Sequence, residues 1–182
     1  MKKIFWSLTC IALVFLSSCV TFSKEFPASS PVDTSQAYIF GVFRRTNNTP
    51  VAYLTLNIRN VENGKEYVIP FSENYKAYSL QIVPGTYIIS RILSVGTLKD
   101  KMGEFQLTSS YKGLSNRFSV EPGTLLYIGD YKGSITNSFT QNYVITRTSV
   151  DSIEDNFDST LEELLRNKIN FNILTARNLL AE

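Results

Sequence analysis

Residues 51–58, "VAYLTLNI", alternate along an extended backbone: Leu54, Leu56 and Ile58 fall on one side, Tyr53, Thr55 and Asn57 on the other. Successive strand side chains point to opposite faces, so such a segment buries one face and pairs its backbone in a sheet. Runs of the same kind fill most of the chain. "AYIFGVF" (37–43), "EYVIPF" (66–71), "YSLQIV" (78–83) and "TYIISRILSV" (86–95) are rich in β-branched and aromatic residues, and "RTNNTP", "VENGK", "SENYK" and "PG" punctuate them. A second set follows: "GEFQLTSS" (103–110), "NRFSVEPG" (116–123), "TLLYIGDYKG" (124–133) and "FTQNYVITRT" (139–148). Asn63-Gly64 between two runs is a hairpin signal, since both residues accept positive φ. The pattern predicts an antiparallel β-sandwich of about eight or nine strands over residues 37–148.

Two passages echo each other. "IVPGTY" (82–87) and "SVEPGTLLY" (119–127) both set Pro-Gly-Thr between strand-like segments. Proline holds φ near −65° and glycine takes the left-handed position, so each is a tight corner. Shared turn chemistry is enough to account for the echo.

The period changes in residues 149–182. Ile153, Phe157, Leu161, Leu164 and Leu165 fall on one face of a helix. Ser152 with Asp155, or Asp151 with Glu154, has the spacing of a capping box at its start. Acidic residues crowd the first turns while Arg166 and Lys168 lie near the end, which suits the helix dipole. A C-terminal α-helix is predicted, with "ILTARNLLAE" (173–182) as a second short one. Asp151, Asp155, Asp158 and Glu162 would then line one helix side, which reads as a solvated face.

The first residues are of a different kind. Lys2-Lys3 precedes an apolar run from Ile4 to Leu16, and small residues end it. Basic start, short apolar stretch and small-residue exit describe an export signal. As a helix the run spans about 20 Å at 1.5 Å per residue, short of the roughly 20 residues that a bilayer core requires. Leu16-Ser17-Ser18-Cys19 resembles the lipobox of bacterial lipoproteins. That resemblance implies cleavage between Ser18 and Cys19, a diacylglyceryl thioether on Cys19, and acylation of the freed α-amine. It divides the chain into a signal (1–18), a tether (19–36), the β domain (37–148) and the helical tail (149–182). In such lipoproteins an Asp after the cysteine favours inner-membrane retention; Val20 stands here, which implies the outer membrane of a Gram-negative-type bacterium. The tether, "VTFSKEFPASSPVDTSQ" after Cys19, holds two prolines and four serines.

Processing also changes the composition. The whole chain has 18 basic and 16 acidic residues, but Lys2 and Lys3 leave with the signal, so the mature chain is balanced. A neutral chain has no electrostatic basis for binding nucleic acid. Cys10 lies in the signal, which leaves Cys19 as the one mature cysteine and predicts no disulfide.

Histidine is absent, so histidine-dependent triads, dyads and metal sites are closed. No G-x-S-x-G elbow, P-loop or EF-hand loop occurs. No catalytic residue, metal site or cofactor is expected. Ten tyrosines are the remaining resource. Those in "SENYKAY" (72–78) and "GDYKGS" (129–134) suggest a candidate patch of Tyr75, Tyr78, Asp130 and Tyr131 for a glycan, small ligand or protein. The "VPGTY" corner, with the later "F-x-V-x-PG-x-x-x-Y-I-G", is similar to lipoprotein β domains of the transthyretin-like or carboxypeptidase-regulatory type over residues 37–147. The similarity implies a sandwich with a binding or structural role. The expected function is therefore that of a lipid-anchored envelope protein, non-enzymatic, meeting the membrane through Cys19 and an envelope protein through its domain. The alternative is a ligand- or glycan-binding module built on the tyrosine-rich loops.

Overall fold

The computed structural model describes residues 21–47, 52–100, 103–111, 117–139 and 144–182. Two five-stranded sheets stack face to face, and one helix covers the outside of the first. The strands are β1 (Ala37–Arg45), β2 (Ala52–Asn60), β3 (Glu66–Pro70), β4 (Ala77–Ile82), β5 (Gly85–Asp100), β6 (Gly103–Tyr111), β7 (Arg117–Val120), β8 (Thr124–Phe139), β9 (Val144–Glu154) and β10 (Thr175–Asn178). Sheet A runs β10-β8-β1-β4 with β9 also on β8; sheet B runs β3-β2-β5-β6 with β7 also on β5.

The expected sandwich is present, with one difference. Sheet A is mixed, since β8 runs parallel to both β1 and β10. Alternation marks a strand and its buried face but carries no information on the direction of its neighbour.

Each sheet is organised on a 16-residue strand, β5 in B and β8 in A. β2 and β1 cover one edge of each, and two shorter strands share the other edge in tandem: β7 then β6 on β5, β10 then β9 on β8. Both Pro-Gly corners open these long strands, and both carry the chain from one sheet to the other, β4 to β5 and β7 to β8. Gly85 (φ +150°) and Gly123 (φ +70°) take the turns. The echo in the sequence thus corresponds to the same order of elements: short strand, corner, long strand, hairpin.

The main core lies between the sheets. Leu54, Leu56, Ile58, Ile69, Tyr87 and Ile92 of sheet B meet Ile39, Phe43, Leu126, Ile128 and Tyr131 of sheet A. The odd/even split of β1 sends Tyr38 and Phe40 to the opposite face. There they pack with Tyr127, Leu125, Phe26 and Phe171 beneath the helix, α1 (Phe157–Asn167). Leu164 is buried and Phe157, Leu161 and Leu165 are partly buried, as the helical spacing predicts.

The helix starts later than its sequence suggests. Asp151 to Glu154 belong to β9, where Ser152, Ile153 and Glu154 pair with Lys132, Tyr131 and Asp130. A backbone ladder to β8 outweighs a local capping preference, and Asn156 occupies the N-cap. The acidic row is divided accordingly: Asp151 on a strand, Asp155 in the link, Asp158 and Glu162 on the helix. The second predicted helix is instead a 3-10 turn (Ile169–Ile173), β10 and a final 3-10 turn (Leu179–Ala181).

Residues 21–36 do not hang free as a tether. Ser23 donates its N–H to Val68 O and accepts Val68 N–H on its hydroxyl, both at 2.9 Å, while Phe26 N–H donates to Ser79 O at 2.8 Å. The segment is a strap from the outer edge of β3 to that of β4, one strand of each sheet. Phe26, 8% exposed, pins it. The proline and serine content concealed two anchoring aromatics, Phe22 and Phe26.

The tyrosines bear on alkaline stability. Tyr38, Tyr87, Tyr127 and Tyr131 are among the largest fully buried side chains. Burial pushes the Tyr87 phenol up to about 12 and those of Tyr78, Tyr127 and Tyr131 higher still. Unfolded phenols ionise near 10. A raised folded value therefore leaves stability whole below pH 10 and removes it as pH rises from 10 through 12. In an alkaline titration followed at 295 nm, these four phenols should ionise only with loss of the β circular-dichroism signal; ionisation ahead of that loss would contradict the burial.

Candidate functional site

The expected patch resolves into one tight cluster and two residues outside it. Its centre is Asp130, placed by an irregularity in β8. Opposite Gly41 of β1, two residues of β8 stand against one, and Gly129 takes φ +113°. A β-carbon on Gly41 would lie 2.3 Å from Gly129 O, so the two backbones meet where no side chain fits. The bulge turns Asp130 into a cluster of polar side chains, where it is 2% exposed.

Four residues donate to that carboxylate. Val42 N–H reaches Oδ1 at 3.0 Å; Tyr75 Oη–H and Asn156 Nδ2–H reach Oδ2 at 3.0 and 3.2 Å; Thr160 Oγ1–H lies 3.1 Å from Oδ2. These come from β1, from the loop between β3 and β4, and from the cap and first turn of α1. The carboxylate also faces the N-terminal end of the helix, where a negative charge is favoured. Tyr127 adds a second link: its hydroxyl donates to Glu154 O and accepts Asn156 N–H, both at 3.0 Å. Beside it Lys132 pairs with Glu154, whose carboxyl is held below its ordinary value mainly by that lysine.

Chemically this is a joint, not a reactive centre. Every Asp130 oxygen already accepts donors. Burial, reinforced by the carboxylate, raises the Tyr75 phenol above its ordinary value, which removes it as a base near neutrality. Tyr75 itself is 49% exposed, so its ring edge remains accessible.

The other two tyrosines of the patch lie elsewhere. Tyr131 is 2% exposed and stacks on Phe43 in the main core, centroids 5.8 Å apart, so no ligand at the surface can touch it. Adjacent positions on a strand face opposite ways, and Asp130 and Tyr131 therefore diverge. Tyr78 is on β4, and its hydroxyl donates to Ser23 O, which ties down the strap. Cys19 and Ser18 lie outside the described residues.

A second buried charge was not signalled by the sequence beyond its place at a helix end. Lys168, 6% exposed, follows the last turn of α1, and its ammonium donates to Glu25 Oε1 at 2.9 Å, Ser79 Oγ at 2.8 Å and Phe26 O. It locks helix, β4 and strap together. A shallow cleft of about 390 Å³ opens beside it between Glu25, Pro27, Lys76 and Asn167. Among the described residues, no three ligating side chains converge as a metal would require.

One spacing remains. Ser109-Ser110-Tyr111-Lys112 matches the Ser-x-x-Lys pattern of acyl-enzyme chemistry. Ser109, however, is on a strand, not on the helical turn that brings residues three apart together. Its hydroxyl accepts Thr148 N–H at 3.1 Å, and Lys112 lies outside the described residues.

No family model, curated protein or solved structure matches this chain. The likeness to transthyretin-like and carboxypeptidase-regulatory lipoprotein domains rests on the corner residues alone.

Proposed function

We propose that this chain is a lipid-anchored protein of the cell envelope, held in the outer membrane of a Gram-negative-type bacterium, whose β domain works by contact with an envelope partner and not by catalysis. The observation that carries the reading is Leu16-Ser17-Ser18-Cys19 closing a short apolar run behind Lys2-Lys3. Two features are in keeping with it. Among the described residues, no helix is long and apolar enough to cross a membrane. The most elaborate polar cluster, around Asp130, has its donors and acceptors committed to one another.

Attachment through two or three acyl chains is stable, because each buried CH₂ contributes about 0.8 kcal/mol, whereas one chain alone releases readily. The mass of the protein extracted from membranes should therefore correspond to a chain beginning at Cys19 with diacylglyceryl and acyl additions. Cys19→Ala should move the protein from the membrane to the soluble fraction by at least about tenfold. A chain beginning at Met1, or a Cys19→Ala variant that stays with the membrane, would overturn the proposal.

A further inference from the structure

The two outer faces of the sandwich are treated unequally. That of sheet A is roofed by α1 and the 3-10 turn after it, which bury Tyr38, Phe40 and Tyr127. The helix makes no comparable packing on sheet B. Inward-facing Leu54, Leu56, Ile58, Ile69 and Ile92 belong to the core, which leaves their neighbours pointing out. Cross-strand pairing then groups the outward set. Tyr53 stands opposite Val95, Thr55 opposite both Leu93 and Pro70, and Asn57 opposite Val68. The result is an apolar field of Tyr53, Val68, Pro70, Leu93 and Val95, none of them fully buried and Tyr53 64% exposed.

The strap extends that field. Phe22 lies edge-on against Tyr53, centroids 5.4 Å apart. Its neighbour Ser23 is fixed to β3 by two hydrogen bonds with Val68 and to β4 by one from Tyr78. Cys19 precedes Ser23 by four residues, so its Cα lies no farther than about 14 Å from that fixed point even with the chain fully extended. Traced from Phe26 and Glu25, which meet Lys168 at the end of α1, back to Phe22, which meets Tyr53, the strap passes from the sheet A side to the outer face of sheet B, so lipid chains on Cys19 would begin on the sheet B side of the domain. Tyrosine is also a residue favoured at membrane–water boundaries, where one end of the ring is apolar and the other wet.

We propose that the outer face of sheet B, with Phe22 and Tyr53 at its centre, rests on the lipid layer, and that α1 points away from it. This rests on lipid attachment at Cys19 as read above, and it adds an orientation: the domain sits flat on the membrane, with the Asp130 side turned outward.

The composition permits a direct test. Trp6 is the sole tryptophan, so in a Trp6→Phe background any introduced tryptophan is the only one. Tyr53→Trp and Ile173→Trp, the latter on the 3-10 turn at 61% exposure, are each produced as the full chain in a bacterial host. The membrane-extracted proteins are weighed, then placed in phosphatidylethanolamine–phosphatidylglycerol vesicles with brominated acyl chains. Tyr53→Trp fluorescence should be quenched at least threefold more than that of Ile173→Trp, and Phe22→Trp should follow Tyr53→Trp if the first substitution perturbs folding. Lipid-bearing mass with equal quenching at 53 and 173 would overturn the orientation while leaving the anchor intact. An unmodified mass with no quenching would remove the anchor, and the orientation with it. An unmodified mass with selective quenching at position 53 would keep the lipid-facing surface and discard the anchor.

Discussion

Asp130→Ala should lower the unfolding free energy by about 3–5 kcal/mol. Removal of the carboxylate leaves the buried Val42 N–H and Thr160 hydroxyl without their acceptor. An unsatisfied buried donor costs about 1–3 kcal/mol, and the void left by the side chain adds to that. For a domain of this size, each kcal/mol shifts the melting temperature by about 2–4 °C, so a fall on the order of 10–15 °C is expected by circular dichroism. Tyr75→Phe removes one donor at a half-exposed position and leaves the other three in place, so it should cost only about 1 kcal/mol. The contrast identifies the role of the cluster. A surface binding site would show the reverse, with stability little changed by Asp130→Ala; that outcome would refute the joint.

Lys168→Met should free the strap. The ammonium holds Glu25, the Phe26 carbonyl and Ser79 at once. Removing one partner of a fully buried pair costs about 3–5 kcal/mol, and partial exposure of Glu25 reduces this to about 2–3 kcal/mol. The loss should fall on the strap more than on the sheets, since the strap is a separate layer with its own hydrogen bonds. A local opening made easier by about 2 kcal/mol raises the open population about thirtyfold. Trypsin cleavage after the exposed Lys24 should accelerate accordingly, with the sandwich core still folded. Unchanged cleavage would show that Phe26 packing alone secures the segment.

What the sequence made legible follows the range of each signal. Alternation around Leu54, the Asn63-Gly64 turn and the Pro-Gly corners are short-range, and each corresponds to a strand, hairpin or sheet crossing. The spacing of Phe157, Leu161 and Leu164 likewise marks the buried side of α1. Nonlocal pairing was not visible in the same way. Nothing within residues 151–154 reveals that β8, some twenty residues earlier, claims them as a strand. Neither parallel neighbour of β8 leaves a trace in periodicity. The Asp130 cluster was half visible: Tyr75 and Asp130 stand together at 3.0 Å, while Tyr131 turns inward because strand parity separates it from its neighbour. Lys168 resembled an ordinary charge at a helix end. Its burial depends on the strap, whose anchoring aromatics, Phe22 and Phe26, stand in a segment of linker-like composition.

The placement of β8 between the first strand and the last has a consequence for the order in which the domain can be completed. A chain emerging from its N-terminus presents β1 long before residues 124–133 exist to pair with it. β4 can shield one side of β1 early, by a hairpin-like return, but the other side waits for β8. β8 in turn keeps an open stretch at its beginning until Thr175–Asn178 have been released. Assembly of sheet A therefore waits for Thr175–Asn178, and until β8 is made Ile39, Phe40 and Phe43 lack one of their two neighbouring strands. Contacts so distant along the chain are slow to form. The first strand to be synthesised therefore gains its second neighbour only after most of the chain has been made.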